Sequence, residues 1–402
     1  MHRDRAIYNT TQEKSIILSE ESDNGIPNKV SLGPVFFEGF ENFPHTPWTF
    51  QVNLANNKSN RIEHAIAEAR VALSHIRGNL FAFEIGNEPD LYPGDVRPLD
   101  YTVADYVREW REYADAISTH VLEGNDYGLE EWRMFQALTF VFVMNGFTTY
   151  AVGNQAWVRL QDSFMTHTAI ASNLTQYTDD ISLIHAHDPN ITFLLGETNS
   201  DYVNLNMSQI EGVFGSSLWL VDYLLFGLSI NITRFNLIQG TTFGYAAWAP
   251  VENNNQAPHV RPPLYGQIVA ADAIGDHPIV QVKSLDLGRE DLSAYAIYES
   301  EILARYVVIN LDEWNATTSY PRPHLRVQLN LPKHVGSAEA RRLTGPGASA
   351  DQGISWGGIS WNYTDGRLAE SGNREVETLK VKNGLVGLEV GSSEAVVVEL
   401  SR

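Results

Sequence analysis

The sequence contains no cysteine. Disulfide bridges, thiolate nucleophiles and cysteine-ligated metal centres are therefore excluded. Long apolar runs are missing too. The longest, Ser217 to Ile230, is interrupted by Asp222 and is shorter than the ~20 residues a membrane-spanning helix needs. Positive charge is scarce: 28 Lys and Arg stand against 49 Asp and Glu, a formal charge of -21. A surface of that sign repels phosphate backbones and argues against nucleic acid as a partner. Phosphate-cradling loops of the GxGxxG or GxxxxGKS/T type do not occur. The 12 histidines show no HxxxH or other metal-ligand spacing, and His185-Ala-His187 before Asp188-Pro189 reads as a turn. The opening residues MHRDRAIYNT lack the apolar core and cleavage site of a signal peptide.

What is present suffices for one large core and two domains in 402 residues. Through Asp276, short apolar runs alternate with amphipathic helical stretches. Trp48, Phe50, Val52 and Leu54 alternate with period two, as in a strand; Ile62, Ala65, Ile66, Ala69, Leu73 and Ile76 recur at helical spacing, with Gly78 placed as a cap. Leu80 to Ile85 and Ile191 to Leu195 read as buried strands. Thr102 and Asp105 predict a capping box for a helix through Ile117, and Ser208 to Leu228 reads as another helix. This rhythm implies a parallel sheet in residues 1–276, either a barrel or an open one. Residues 277–402 are all short strands, among them LSAYAIYE, RYVVINL, LRVQLNL and EAVVVEL, with Asn383-Gly384 predicting a hairpin turn. They form a second, antiparallel domain of sandwich type. Eight Asn-X-Ser/Thr sequons, beginning at Asn9, Asn57, Asn173, Asn190, Asn206, Asn231, Asn315 and Asn362, point to the secretory pathway.

In a parallel α/β fold, reactive groups collect where strands end. Two carboxylates occupy such ends: Glu88 after LFAFEIGN and Glu197 after ITFLLG, each delivered through a glycine, Gly86 and Gly196. An isolated strand-end glutamate is usually a cap or a solvated residue. Two of them, each after a buried run, match the paired carboxylates of glycoside hydrolysis. One is held protonated for the leaving oxygen, the other ionised for attack. Asn87, beside Glu88, suits a sugar hydroxyl. Glu130-Glu131 and Asp179-Asp180, in polar surroundings, read as solvated faces.

The segments GNEPDLYPG, LLGETNSDY, FGSSLWLVDYLLFGLSINITRFN and YAAWAPV together resemble glycoside hydrolase family 79, which holds fungal and bacterial β-glucuronidases and the heparanases. WRMFQALTF and MTHTAIASN are similar to its fungal branch. The resemblance spans nearly the whole chain. It implies a (β/α)8 barrel of TIM type followed by a C-terminal antiparallel β-sandwich, and a retaining mechanism on β-linked glucuronic acid. Glu88 matches the acid/base and Glu197 the nucleophile; Tyr202, five residues on, matches the tyrosine that grips the glucuronate carboxylate, and Tyr150 a cleft tyrosine. No metal or organic cofactor is implied. The chain departs from the pattern at Val203, Asn204 and Leu205, where the family carries glycines, and at Ile238, where fungal relatives carry histidine. Val203 to Leu205 leave open a neutral β-glycoside as substrate, and the shortened N-terminal region leaves open a catalytically inactive remnant or a carbohydrate-binding protein without turnover. Too little sequence precedes Glu88 for three β/α units, so the barrel is expected to lack its first strands and the intact parent to be extracellular.

Overall fold

The computed structural model describes residues 6–21, 27–125, 127, 135–136, 158–201, 207–239, 243–249, 252 and 257–401. They group into two compact units, Met1–Met144 and Asn145–Arg402.

The core of the first unit is built on three parallel strands, Trp48–Val52, Leu80–Ile85 and Phe135–Gln136. Their register pairs Phe50 with Phe83 and Phe83 with Phe135, while on the opposite face Gln51 pairs with Glu84 and Glu84 with Gln136. Side chains alternate across a strand, so this register separates an aromatic face from a polar one. The aromatic face packs on helices Arg61–Ile76 and Val103–Ile117. Thr102 and Asp105 form the expected capping box. The end of the first helix differs from expectation. Arg77, not Gly78, takes the left-handed φ of 58° there, and a short 3-10 turn, Arg77–Asn79, leads into the next strand. A small sheet of Ala6–Tyr8, Pro27–Leu32 and Ile16–Glu21 adds Tyr8 and Leu32 to the same core.

In the second unit, strand Phe193–Thr198 pairs in parallel with Ile232–Leu237. Helix Phe214–Ser229 is buried almost all round, which explains its lack of a polar stripe. It meets helix Pro263–Ile274 so closely that a Cβ on Gly266 would lie 2.6 Å from the Ser217 carbonyl oxygen. Helix Thr178–His187 carries Asp179 and Asp180 in its first turn, exposed and favourable to its dipole. His185 and His187 lie in its last turn rather than in a loop, because the apolar positions Ile181 and Ile184 keep the helical period up to Asp188. Among the described residues, no group of His, Asp and Glu has the arrangement of a metal site, and no helix is long and apolar enough to cross a membrane.

From Val280 onward the elements are strands. Eight of them lie in the order 280–285, 292–299, 302–310, 394–400, 337–344, 355–356, 359–364, 367–372, and Glu377–Lys380 also pairs with 337–344. One face of this sheet, with Val308, Ala338, Val396 and Val398, packs on the two-stranded ribbon His324–Asn330 and Leu385–Gly391. The other, with Tyr295, Ile297, Val307, Ala395 and Val397, shares one continuous core with helix Phe214–Ser229. Burial on both faces is why EAVVVEL reads as an unbroken apolar run rather than an alternating one. Asn383 and Gly384 take positive φ, 54° and 73°, as expected of a tight turn. The strands they join then part after one bridge, Glu377–Lys380 to the large sheet and Leu385–Gly391 to the ribbon, so the turn links layers instead of closing a hairpin.

Asp222 supplies the charge inside that shared core. It is fully buried, accepts a hydrogen bond from the Tyr295 hydroxyl and lies 2.9 Å from His167 Nδ1. Burial pulls the His167 pKa down, but the hydrogen bond to Asp222 and the charges of Asp222 and Asp286 outweigh it, and the net direction is up. A raised folded-state pKa means the ion pair stabilises fully below the unfolded value of about 6.5 and fades as pH climbs through the folded value. Melting temperature is therefore expected to be higher at about pH 5.5 than at about pH 8.5 on this account. His167→Gln should flatten that difference in paired thermal melts.

Candidate active site

In the first unit, the route to Glu88 is set by Gly86. Strand Leu80–Ile85 ends with Phe83 and Ile85 fully buried, and Gly86 then turns at a φ of 91°. A side chain there is excluded on two counts. The positive φ disfavours it, and its Cβ would stand 3.0 Å from Leu54 and 3.2 Å from the Tyr92 hydroxyl. Gly86 N–H stays bonded to the Val52 carbonyl at 3.0 Å, and the buried Asn87 donates its N–H to the Tyr92 hydroxyl at 3.3 Å. Glu88 itself is left-handed, φ 43° and ψ 56°, and opens the turn Pro89–Leu91. For a glutamate that conformation costs about 1–3 kcal/mol and persists only where its surroundings over-determine it. Glu88 is half-buried.

In the second unit, strand Phe193–Thr198 runs three residues further than the sequence pattern implied, so Glu197 lies inside its last turn of pleat instead of beyond it. Gly196 stays within the strand, unlike Gly86; the bend is replaced by two slips of register against Ile232–Leu237. The segment after Glu197 is pinned repeatedly. The Thr198 and Tyr223 hydroxyls lie 2.8 Å apart, the Asn199 amide donates to the Ile238 carbonyl at 3.0 Å, and Ile238 N–H returns to the Thr198 carbonyl at 3.1 Å. Asp201, four residues past Glu197, and Glu211 are completely buried.

Tyr245 completes this half. It is buried, with its ring stacked on Phe243 at 5.1 Å, and its hydroxyl has no hydrogen-bond partner among the described residues. Burial raises its pKa, and the negative charges of Asp201, Glu197 and Glu211 raise it further. The phenol is thus held protonated among carboxylates, a donor with no acceptor among the described residues. Gln239 holds the neighbouring backbone, donating to Trp248 O at 2.9 Å and accepting from Ala247 N–H at 2.8 Å. Removal of an unpartnered buried hydroxyl costs a fold little. Tyr245→Phe is therefore expected to leave the melting temperature within about 2 °C of the parent while lowering kcat/KM by about tenfold or more. Thermal melts alongside initial-rate kinetics would check both parts.

Of the residues singled out from sequence, Asn87 and Glu88 lie together in the first unit and Glu197 in the second, whereas Tyr150, Tyr202 and Val203 to Leu205 fall outside the described residues. Tyr245 was missed because YAAWAPV entered only as a segment of the family resemblance, and nothing local marks its hydroxyl as unsatisfied. Glu84 was also missed. It is buried and bonded by the Gln136 amide, and its signal was a lone charge within the otherwise apolar LFAFEI.

Comparison with known proteins follows the same lines. A family model described as the glycosyl hydrolase family 79 C-terminal beta domain matches residues 294–397. A β-glucuronidase of Aspergillus niger is 31% identical across 98% of this chain and 80% of its own length, and one of Neurospora crassa 27% across 90% and 76%. Among solved structures, a 4-O-α-L-rhamnosyl-β-D-glucuronidase from Fusarium oxysporum, in complex with Rha-GlcA, superposes with a TM-score of 0.77 at 20% identity, covering 99% of this chain and 86% of the other. A family 51 α-L-arabinofuranosidase from Bifidobacterium longum reaches 0.57 at 12% identity, covering 92% and 79%.

Proposed function

The chain belongs to glycoside hydrolase family 79, and from that premise we propose that it hydrolyses β-glucuronides with retention of configuration. The observation that carries this reading is the 31% identity to a β-glucuronidase over 98% of the chain. Two strand-end glutamates in the matching motifs agree with it. Glu88 acts as acid/base: it gives its proton to the glycosidic oxygen as the C–O bond breaks, then takes one from the water that attacks in the second step. Glu197 is the nucleophile, forming a glycosyl ester that this water hydrolyses. The buried Tyr245 phenol donates a hydrogen bond to a carboxylate that Glu197 or the sugar presents. No step in this sequence calls for a metal or an organic cofactor.

The finer assignments rest on the same premise. The barrel in residues 1–276 is of (β/α)8 type but lacks its first strands, and the β domain in residues 277–402 is a sandwich. Tyr202 and Tyr150 contact the sugar. Secretion is supported by exposed sequon asparagines at Asn57, Asn190 and Asn362, and by fungal relatives. The test is direct: release of 4-nitrophenol from its β-D-glucuronide and its β-D-glucoside, with NMR of the first anomer formed. Preference for the glucuronide and a β-anomer first support the proposal. Equal or better turnover of the glucoside would move the substrate to a neutral sugar, and an α-anomer first would end the two-step mechanism.

A further inference from the structure

We propose that Arg97 is the positioning residue for Glu88, an inference that rests on the acid/base reading above. The Arg97 side chain is only 7% exposed, and its guanidinium makes contacts on every side. Nη2 donates to the Leu54 carbonyl at 2.8 Å, Nη1 to Val96 O at 3.0 Å and Ala55 O at 3.4 Å, and Nε and Nη2 grip Glu109 at 3.0–3.2 Å. Its carbon centre also lies 5.7 Å from the Tyr92 ring and 5.8 Å from the Tyr101 ring. Tyr101 in turn donates to Glu109 at 3.1 Å.

These contacts converge on the two walls that bracket Gly86. Leu54 and Tyr92 are the residues a Cβ on Gly86 would strike, and Arg97 holds the backbone of the first and the ring of the second. Tyr92 passes the constraint on by accepting the Asn87 N–H. The backbone closes the loop as well: Gly94 N–H donates to Arg97 O at 2.9 Å, and Arg97 N–H to Tyr92 O at 3.0 Å. Glu88, left-handed and strained, thus leaves a slot whose width Arg97 sets. A planar guanidinium fixes several acceptors at defined angles, which a lysine ammonium does not. The Arg97 contacts run to Leu54, Ala55, Val96, Glu109 and the two tyrosine rings and not to Glu88 itself, so its role is the placement of the proton donor.

That role predicts a dependence on the leaving group. Phenoxide needs the Glu88 proton as the C–O bond breaks; 2,4-dinitrophenolate departs as an anion without it. Arg97→Met is expected to lower kcat/KM for phenyl β-glucuronide by about 100-fold or more, the scale of general acid catalysis, and for the dinitrophenyl substrate by less than about tenfold. Tyr92→Phe should show the same selectivity at smaller size. Glu88→Ala, measured beside them, is expected to be selective as well. Equal losses on both substrates in Arg97→Met, with Glu88→Ala selective, overturn the positioning role alone. Glu88→Ala losing both equally overturns the acid/base reading and this inference with it. If Arg97→Met does not fold, Tyr92→Phe decides: selective loss supports the role, and equal loss overturns it.

Discussion

On the proposed mechanism, Glu197→Ala is expected to lower kcat on an aryl β-glucuronide by about 10⁴-fold or more, because the first step would lose its nucleophile. Asp201 and Glu211 are carboxylates of the same unit, but both are completely buried, whereas Glu197 retains partial exposure at the end of its strand. The fold should tolerate the change. The turn after Glu197 is held through Thr198, Asn199 and Ile238, none of which uses the Glu197 side chain. Removing one of the three negative charges near Tyr245 also eases the crowding that raises its pKa. The check combines kcat with mass spectrometry after a 2-deoxy-2-fluoro-glucuronyl fluoride, which should label the parent and leave Glu197→Ala unlabelled. Labelling of the variant would move the nucleophile elsewhere.

Asp222→Ala carries the largest expected loss of stability. Removing one partner of a buried charged pair costs about 3–5 kcal/mol, since the other is left desolvated. Here two groups are stranded, the His167 ring and the Tyr295 hydroxyl, at the point where helices His167–Thr175 and Phe214–Ser229 meet strand Leu292–Glu299. For a unit of this size the melting temperature should fall on the order of 10 °C. Tyr295→Phe keeps the His167–Asp222 pair and should cost roughly 1 kcal/mol, the scale of one hydrogen bond. Differential scanning calorimetry of the two variants separates the cases, and comparable small losses in both would show the network to be dispensable.

Local signals in the sequence translated well. Thr102 and Asp105 formed their capping box, Leu80 to Ile85 its strand, and Asn383-Gly384 its tight turn, because each depends on neighbours a few residues away. Less legible was anything set by distant pairing. That Asn383-Gly384 joins two layers depends on Leu379 and Val386 finding partners in different sheets. The same limit governs the site. Glu88 and Glu197 were visible because a carboxylate after a buried run is conspicuous. The left-handed conformation of Glu88 was not, since a glutamate carries no local signal for a positive φ. Nor was Arg97, whose carbonyl partners Leu54 and Ala55 lie more than 40 residues upstream.

Strand Glu394–Leu400 lies between Ile302–Asn310 and Ser337–Thr344, and its Ala395 and Val397 cap the core that surrounds helix Phe214–Ser229. During synthesis that helix emerges long before its cover. At 5–20 residues per second, about ten to forty seconds separate the two on the ribosome. Throughout that interval the helix can dock on earlier partners such as Phe164 and Phe193, but the side that Ala395 and Val397 will cover stays open. Its 16-residue length and its one charge, Asp222, both set it apart from a membrane anchor while it waits.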